Sequence, residues 1–218
     1  MNLLIKIPTR ERGFDWLESY VQNITNPNTR IYLTLDMNDV GLSGAVEIKE
    51  RYPNVYLSLG DSTGKIDAVN RDMEYISDNF NWDVLLLGSD DMQPQMKGFD
   101  DLILQHFEND KDKFLWSSDG RQPRICTIPI MDREYYERFG YIYHPNYKSF
   151  FCDNFQTDVA LRLNKCSKTN ECYLMHQHPA WGGTVENDNL YRRNDAFWNE
   201  DAKTYKIMSR EITNYLGK

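Results

Sequence analysis

Four apolar runs, "LLIKIP" (3–8), "RIYLTLD" (30–36), "VYLSLG" (55–60) and "DVLLLGSDD" (83–91), alternate with stretches whose apolar residues recur at helical spacing. This alternation constrains the fold more than any other feature of the chain. A strand covered by helices on both faces of its sheet reads as a near-continuous apolar run rather than an alternating one. Between the runs, Phe14, Leu17, Val21 and Ile24 mark one helix, residues 43–52 a second that ends near Pro53, and Ile66, Val69, Met73, Ile76 and Phe80 a third. Strand and helix in this order predict a parallel sheet with right-handed crossovers.

In such a sheet, ligands bind beyond the carboxyl ends of the strands. The polar residues that follow each run therefore share one rim: Pro8, Thr9 and Arg10 after the first, Asp36 after the second, Gly60 and Asp61 after the third, Asp90 and Asp91 after the fourth. Beyond residue 100 the pattern loosens. Helices are expected from Phe99 to Phe107, over 132–140 and 151–165, and from about Glu186 onward, with Phe197, Tyr205, Met208 and Ile212 facing inward. Strands are expected over 113–119, over 124–131 with Pro129 on an edge, and at the start of "ECYLMHQHPAW" (171–181). The reading is an α/β fold: one compact domain, with residues 1–100 forming a nucleotide-binding half and 101–218 completing a cleft.

The formal net charge of −8 argues against general attraction to nucleic acid or membrane, though Arg121, Arg124 and Lys148 could line a local basic groove. No apolar run is long enough to span a bilayer, and the run at the start is too short for a signal peptide. Four cysteines without a CxxC pair suit free thiols in a reducing cytosol, although Cys166 and Cys172 could close a short loop.

Several residue groups could carry chemistry. The adjacent carboxylates Asp90 and Asp91 could hold a hard cation at a strand end, or simply favour a turn. His176 and His178 are two apart, which places them on one face of a strand, and imidazole suits manganese and similar metals. Asp153, with Gln156 three residues on, is close to a capping box, yet it could equally present a general base to a cleft. Asp158 could support that site or face solvent. Gly64 and Lys65 open a helix whose N-terminus would attract phosphate. Trp181 could stack on a sugar or a base, or pack a loop. The sequence holds no GxGxxG, GxSxG or GxxxxGK[ST] motif.

Taken in order, "IPTRERG", Asp36, "GKIDAVN", "LLLGSDDM", "CDNFQTD" and "HQHP" resemble the GT-A fold of nucleotide-sugar-dependent glycosyltransferases, in particular the inverting, family-2-like group and its compact phage and mobile-element forms. The resemblance covers about residues 1–180. It implies a mixed, mostly parallel Rossmann-type sheet and a metal-dependent transferase using a nucleoside-diphosphate sugar, with a UDP-sugar as donor and Mn2+ or Mg2+ as cofactor. By the same resemblance Thr9 and Asp36 hold the uridine end, flanked by Pro8, Arg10 and Arg12. Lys65 and Asn70 lie beside the sugar nucleotide. Ser89, Asp90 and Asp91 form the DxD-like triplet, with Asp90 on the ribose or sugar and Asp91 on the metal. His176 or His178 is a further metal ligand and Asp153 the catalytic base, while Trp181 and Asp158 are assigned to the acceptor. Ser89 departs from the motif, whose first residue is acidic. The implied acceptor is a glycan or a hydroxymethylated base of phage DNA, and the implied setting is cytoplasmic, without a membrane anchor. A nucleotidyltransferase acting on a sugar phosphate, or a nucleotide- or sugar-binding module without turnover, are the alternative readings.

Overall fold

The computed structural model describes residues 1–39, 42, 44–178 and 188–216. In chain order the elements are β1 (Leu3–Pro8), α1 (Asp15–Asn23), β2 (Arg30–Asp36), α2 (Ala45–Arg51), β3 (Val55–Gly60), α3 (Lys65–Asn70), α4 (Met73–Asn79), β4 (Val84–Leu87), β5 (Met92–Pro94) and α5 (Phe99–Gln105). They continue with β6 (Phe114–Trp116), β7 (Pro129–Asp132), α6 (Arg133–Glu137), α7 (Cys152–Arg162), β8 (Cys166–Lys168), β9 (Leu174–His176), α8 (Asn189–Asp195), α9 (Trp198–Met208) and a final 3-10 turn, Ile212–Tyr215. A seven-stranded sheet has the order β3-β2-β1-β4-β7-β6-β8, and β5 pairs with β9 in a separate ribbon.

Strands β1 to β4 are mutually parallel, as the apolar runs require, and β7 joins β4 antiparallel. Alternate residues of β1 feed the cores on the sheet's two faces: Leu3, Ile5 and Ile7 on one side, Leu4 on the other. One sheet thus runs through both halves of the sequence.

Three expectations are corrected. The helix expected over Ile66–Phe80 is two helices, because Arg71 is extended and Asp72 is left-handed at φ 71°. The break has a polar cause: the Asp72 carboxylate accepts from Ser58 and Thr34 and faces the Lys6 amine, while the Arg71 guanidinium donates to the Leu35 carbonyl at 2.6 Å. A continuous helix would withdraw these groups from the sheet. The fourth strand ends at Leu87 rather than Asp91. At Gly88 an added Cβ would lie 3.0 Å from the Tyr20 hydroxyl and 3.1 Å from Ile7, so the chain leaves the sheet where only glycine fits closely. Pro129 is not on an edge strand, since β7 lies between β4 and β6. It is tolerated as the strand's first residue. The four cysteines are free thiols, so Cys166 and Cys172 do not form the loop-closing bridge. The helical expectation beginning at Glu186 falls partly outside the described residues, and α8 starts at Asn189 behind an Asp188 cap.

Candidate active site at the carboxyl rim of the sheet

The turn after β4 draws Asp90 and Asp91 back against the loop that follows β1. The Thr9 hydroxyl donates to Oδ2 of Asp90 at 2.6 Å, and the Arg12 guanidinium pairs with the other Asp90 oxygen. Burial pushes the Asp90 carboxyl up to about 6; Asp91 adds to the rise, and Arg12 and Thr9 oppose it. Arg12 also donates to Oδ2 of Asp188 at 3.0 and 3.1 Å and lies over the Tyr191 ring, 4.9 Å from its centroid. The loop after β1 therefore bridges the acidic turn to the first turn of α8.

Asp91 points inward. Its Oδ2 accepts from the Tyr191 hydroxyl at 2.6 Å and lies 3.2 Å from Nε2 of His176. Burial alone would raise this carboxyl, but hydrogen bonds from His176, Ser89 and Tyr191 outweigh it and hold the group well below the ordinary carboxylate range. Ser89 thus supports Asp91 through a hydroxyl where an acid would repel it. Oδ1 of Asp91 is buried and has no hydrogen-bond partner among the described residues.

His176 is placed by the β5–β9 ribbon, in which it pairs with Met92. Its backbone N–H donates to the Asp119 carbonyl at 3.0 Å, and its Nδ1 lies 3.8 Å from Oδ2 of Asp119. Burial opposes the imidazolium, but Asp119 and Asp91 overcome it and raise His176 to about 9. Asp119 is itself fixed. It accepts from the backbone of Arg121 and Gln122 at 2.8 and 2.7 Å and from the Thr127 hydroxyl at 2.6 Å. The result is a chain, Asp119–His176–Asp91, in which the two carboxylates are buried and the ring between them is half-buried. The ring of His178 packs 5.5 Å from that of His176 and 4.6 Å from that of Tyr191.

Asp153 stands in the first turn of α7. It is not the helix cap: Phe151 holds that position with φ 60°, and Oδ1 of Asp153 accepts its neighbour's N–H, from Asn154, at 2.9 Å. Burial raises its pKa, while the Asn154 N–H and the charges of Lys65 and His176 oppose the rise. The base candidate, the lysine that opens α3 and the histidine of β9 are thus within electrostatic reach of one another.

Asp36 at the end of β2 lies between two guanidinium groups. Arg10 pairs with one oxygen, and Arg71 donates to the other at 3.1 Å. Asn70 is committed elsewhere. Its amide donates to the Tyr143 carbonyl at 2.7 Å and accepts from Ile142 and Tyr143 at 2.9 and 3.2 Å. Asp158 accepts from the Tyr205 hydroxyl at 2.7 Å. Pro8 closes β1 at the rim. Trp181 lies outside the described residues. Asp119, Tyr191, Asp188 and Arg71 carry no sequence signal for the site beyond the capping logic at Asp188, which accepts from the Tyr191 N–H at 3.0 Å.

Among the described residues no group of three or more His, Cys, Asp or Glu side chains stands together so that it could hold a metal ion. Two donors remain for a divalent cation: a carboxylate with an oxygen that has no partner among the described residues, and the His176 ring, which would have to release its proton to coordinate.

No family model matches the chain, and no curated protein matches it in sequence. Solved structures do. The mannosyltransferase PcManGT from Pyrobaculum calidifontis, in complex with GDP-Man and Mn2+, superposes with a TM-score of 0.64 at 13% identity, over 84% of this chain and 58% of that one. S. aureus TarS 1-349 in complex with UDP-GlcNAc gives 0.62 at 16% identity, over 88% and 61%. Glucosyl-3-phosphoglycerate synthase from Mycobacterium tuberculosis, with Mn2+, UDP and glucosyl-3-phosphoglycerate, gives 0.58 at 10% identity, over 81% and 72%. The chain spans less than two thirds of the first two. What is shared at these identities is architecture: the chain has a GT-A-like fold, a mixed, mostly parallel sheet flanked by helices.

Proposed function

We propose that the protein is a metal-dependent glycosyltransferase. It moves a sugar from a nucleoside-diphosphate donor, a UDP-sugar, to an acceptor hydroxyl of a glycan or a hydroxymethylated base, with inversion. The observation that carries this reading is the Asp91–His176 pair, with a carboxylate oxygen that has no partner among the described residues, and the half-buried Asp153 within electrostatic reach of His176 and Lys65. Solved structures of the same fold in complex with UDP-GlcNAc, or with GDP-Man and Mn2+, support it.

In this reading residues 1–100 grip the donor. Thr9, Arg10, Arg12, Asp36 and Asp90 face the nucleotide, and Ser89 steadies Asp91. Asp91 and His176 hold Mn2+ or Mg2+ and His178 stands behind them. A divalent cation held there would neutralise charge on the departing diphosphate. Residues 101–218 bring the acceptor. Asp153 takes the proton of the attacking hydroxyl. Its burial favours that transfer, because a base works best when its pKa approaches the working pH. The Asn154 N–H and the charges of Lys65 and His176 oppose the rise that burial causes. Among the described residues no helix is long and apolar enough to cross a membrane.

The test is thermal stability with UDP, UDP-glucose, UDP-GlcNAc and GDP-mannose, each with and without Mn2+, since a ligand that binds the folded state raises the apparent melting point. A metal-dependent rise with a nucleotide sugar that is lost in Asp91→Asn is expected. Asp153→Asn should keep that rise and lose about 100- to 10,000-fold of turnover. A response confined to nucleoside triphosphates, with pyrophosphate released, would identify a nucleotidyltransferase instead.

A further inference from the structure

Trp198, the first residue of α9, is 53% exposed, whereas Trp82 and Trp116 are buried. Its ring is not loose. It sits 4.9 Å from Phe150 at 66° and 4.9 Å from Phe151 at 58°, and Phe151 in turn stacks on Tyr205, with centroids 5.7 Å apart and planes within 18°.

The loop that carries this bracket is pinned. Asp201, fully buried one turn into α9, accepts three successive backbone N–H groups, from Lys148, Ser149 and Phe150, at 2.9, 2.8 and 2.7 Å. The next residue, Phe151, holds a left-handed backbone at φ 60°, a conformation costly for a bulky side chain and kept only where its surroundings enforce it. Two residues later stands Asp153. On the other side, the Lys148 carbonyl accepts from Ile66 at 3.4 Å, beside Lys65. One rigid loop therefore joins the base, the lysine of the donor half and an indole left open to solvent.

We propose that Trp198 is the platform on which a carbohydrate acceptor lays the apolar face of a pyranose ring, with its hydroxyl directed to Asp153. This deepens the glycosyltransferase reading and rests on it for the role of Asp153. A flat ring braced by two aromatics presents a pre-ordered apolar surface to a ligand of mixed polarity. A nucleic-acid acceptor suits the place less well. Its phosphates need basic neighbours, and the exposed charge in the first turn of α9 is the acidic Glu200.

The experiment uses cellobiose, N,N′-diacetylchitobiose and mannobiose as probes and a single-stranded oligonucleotide as the rival. Binding to the full chain is followed by saturation-transfer NMR, and transfer is assayed with whichever nucleotide sugar stabilises the protein with Mn2+. At least one disaccharide should bind. Trp198→Ala should weaken it about tenfold and raise its KM with the donor KM unchanged, and Trp198→Phe should retain part of the affinity. Melting curves of both variants confirm that they fold, and the Phe variant decides if the Ala variant does not. Equal disaccharide binding in wild type and either folded variant overturns the platform. So does binding of no disaccharide, or of the oligonucleotide alone. Trp198-dependent sugar binding without any donor response would leave the platform standing and remove the glycosyltransferase reading. Donor hydrolysis indifferent to Trp198 and to every disaccharide would do the reverse.

Discussion

The phenolic hydroxyl of Tyr191 donates a 2.6 Å hydrogen bond to Oδ2 of Asp91, 100 residues earlier in the chain. The oxygen it occupies is the one that also faces Nε2 of His176. Arg12 reinforces the contact by lying over the Tyr191 ring and pairing with Asp188 at the helix cap. Helix α8 thus rests its first turn on the acidic pair. A cation drawing on this oxygen must compete with the phenol, whose hydrogen bond to a charged group is worth about 1.5–3 kcal/mol. Tyr191→Phe is therefore expected to bind Mn2+ about three- to tenfold more tightly in the presence of UDP. Titration of the Mn2+ EPR signal measures this directly, and weaker binding in the variant would show that the hydroxyl helps hold the metal rather than blocking it.

Asp119 positions His176 from behind. Its carboxylate is held by two backbone N–H groups and the Thr127 hydroxyl, and it keeps a pKa of about 2, burial opposing and these hydrogen bonds and His176 prevailing. Asp119→Asn keeps the shape and removes the charge. His176 should then lose part of the support that raises it to about 9, and its titration should fall by about a unit. Imidazole NMR on the metal-free protein reads the shift. An unmoved His176 titration would mean that Asp91 alone sets it.

The parallel half of the fold is written in the sequence because strands buried on both faces have almost no alternative composition. Leu85 and Leu86 can only be interior. The single helix expected over Ile66–Phe80 fails for a reason periodicity cannot carry. Its apolar spacing is correct on both sides of the break, but Arg71 and Asp72 answer to Asp36, Ser58 and Thr34 on two other strands. The site divides in the same way. Asp90 and Asp91 are legible as charges at a strand end, and His176 as one of a close pair. Asp119 and Tyr191 are not, because their partner residues lie 57 and 100 positions away and only the folded sheet brings them together.

Asn70 shows how a motif position can serve the scaffold. The resemblance places it beside the donor, yet its amide makes three hydrogen bonds to the backbone of Ile142 and Tyr143. Asn70→Ala would strand two N–H groups and a carbonyl in a half-buried setting, each costing about 1 kcal/mol or more. A stability loss of about 2–4 kcal/mol is expected in urea unfolding. A stable Asn70→Ala protein with weakened nucleotide binding would return the residue to the donor site.

Lys6 sets a pH dependence from inside the sheet. It lies in the middle of β1, fully buried, its amine on the Thr34 hydroxyl, 4.0 Å from Asp72 and 5.4 Å from the Tyr32 ring centroid. Burial lowers its pKa from 10.5 to about 7, Asp72 opposing and Arg71 adding to the fall. Between about 7 and 10.5 the folded amine is largely neutral while the unfolded one is protonated, so unfolding takes up a proton. Stability contributed by this group therefore rises with pH across that window, by at most about 1.4 kcal/mol per pH unit. His176, raised from 6.5 to about 9, works in the opposite sense, holding a proton in the fold that the unfolded chain releases. The two are separated by difference. Lys6→Met keeps the length of the side chain and removes only the lysine's share. Wild-type stability minus that of Lys6→Met, from urea unfolding at several values between about pH 7 and 9.5, should increase with pH at close to the one-proton slope. Below about pH 7 the methionine variant should equal or exceed the wild type, since no ammonium has to be desolvated in the core. A difference that stays flat across the window would mean that the buried amine keeps its proton, held by Asp72 against the cost of burial.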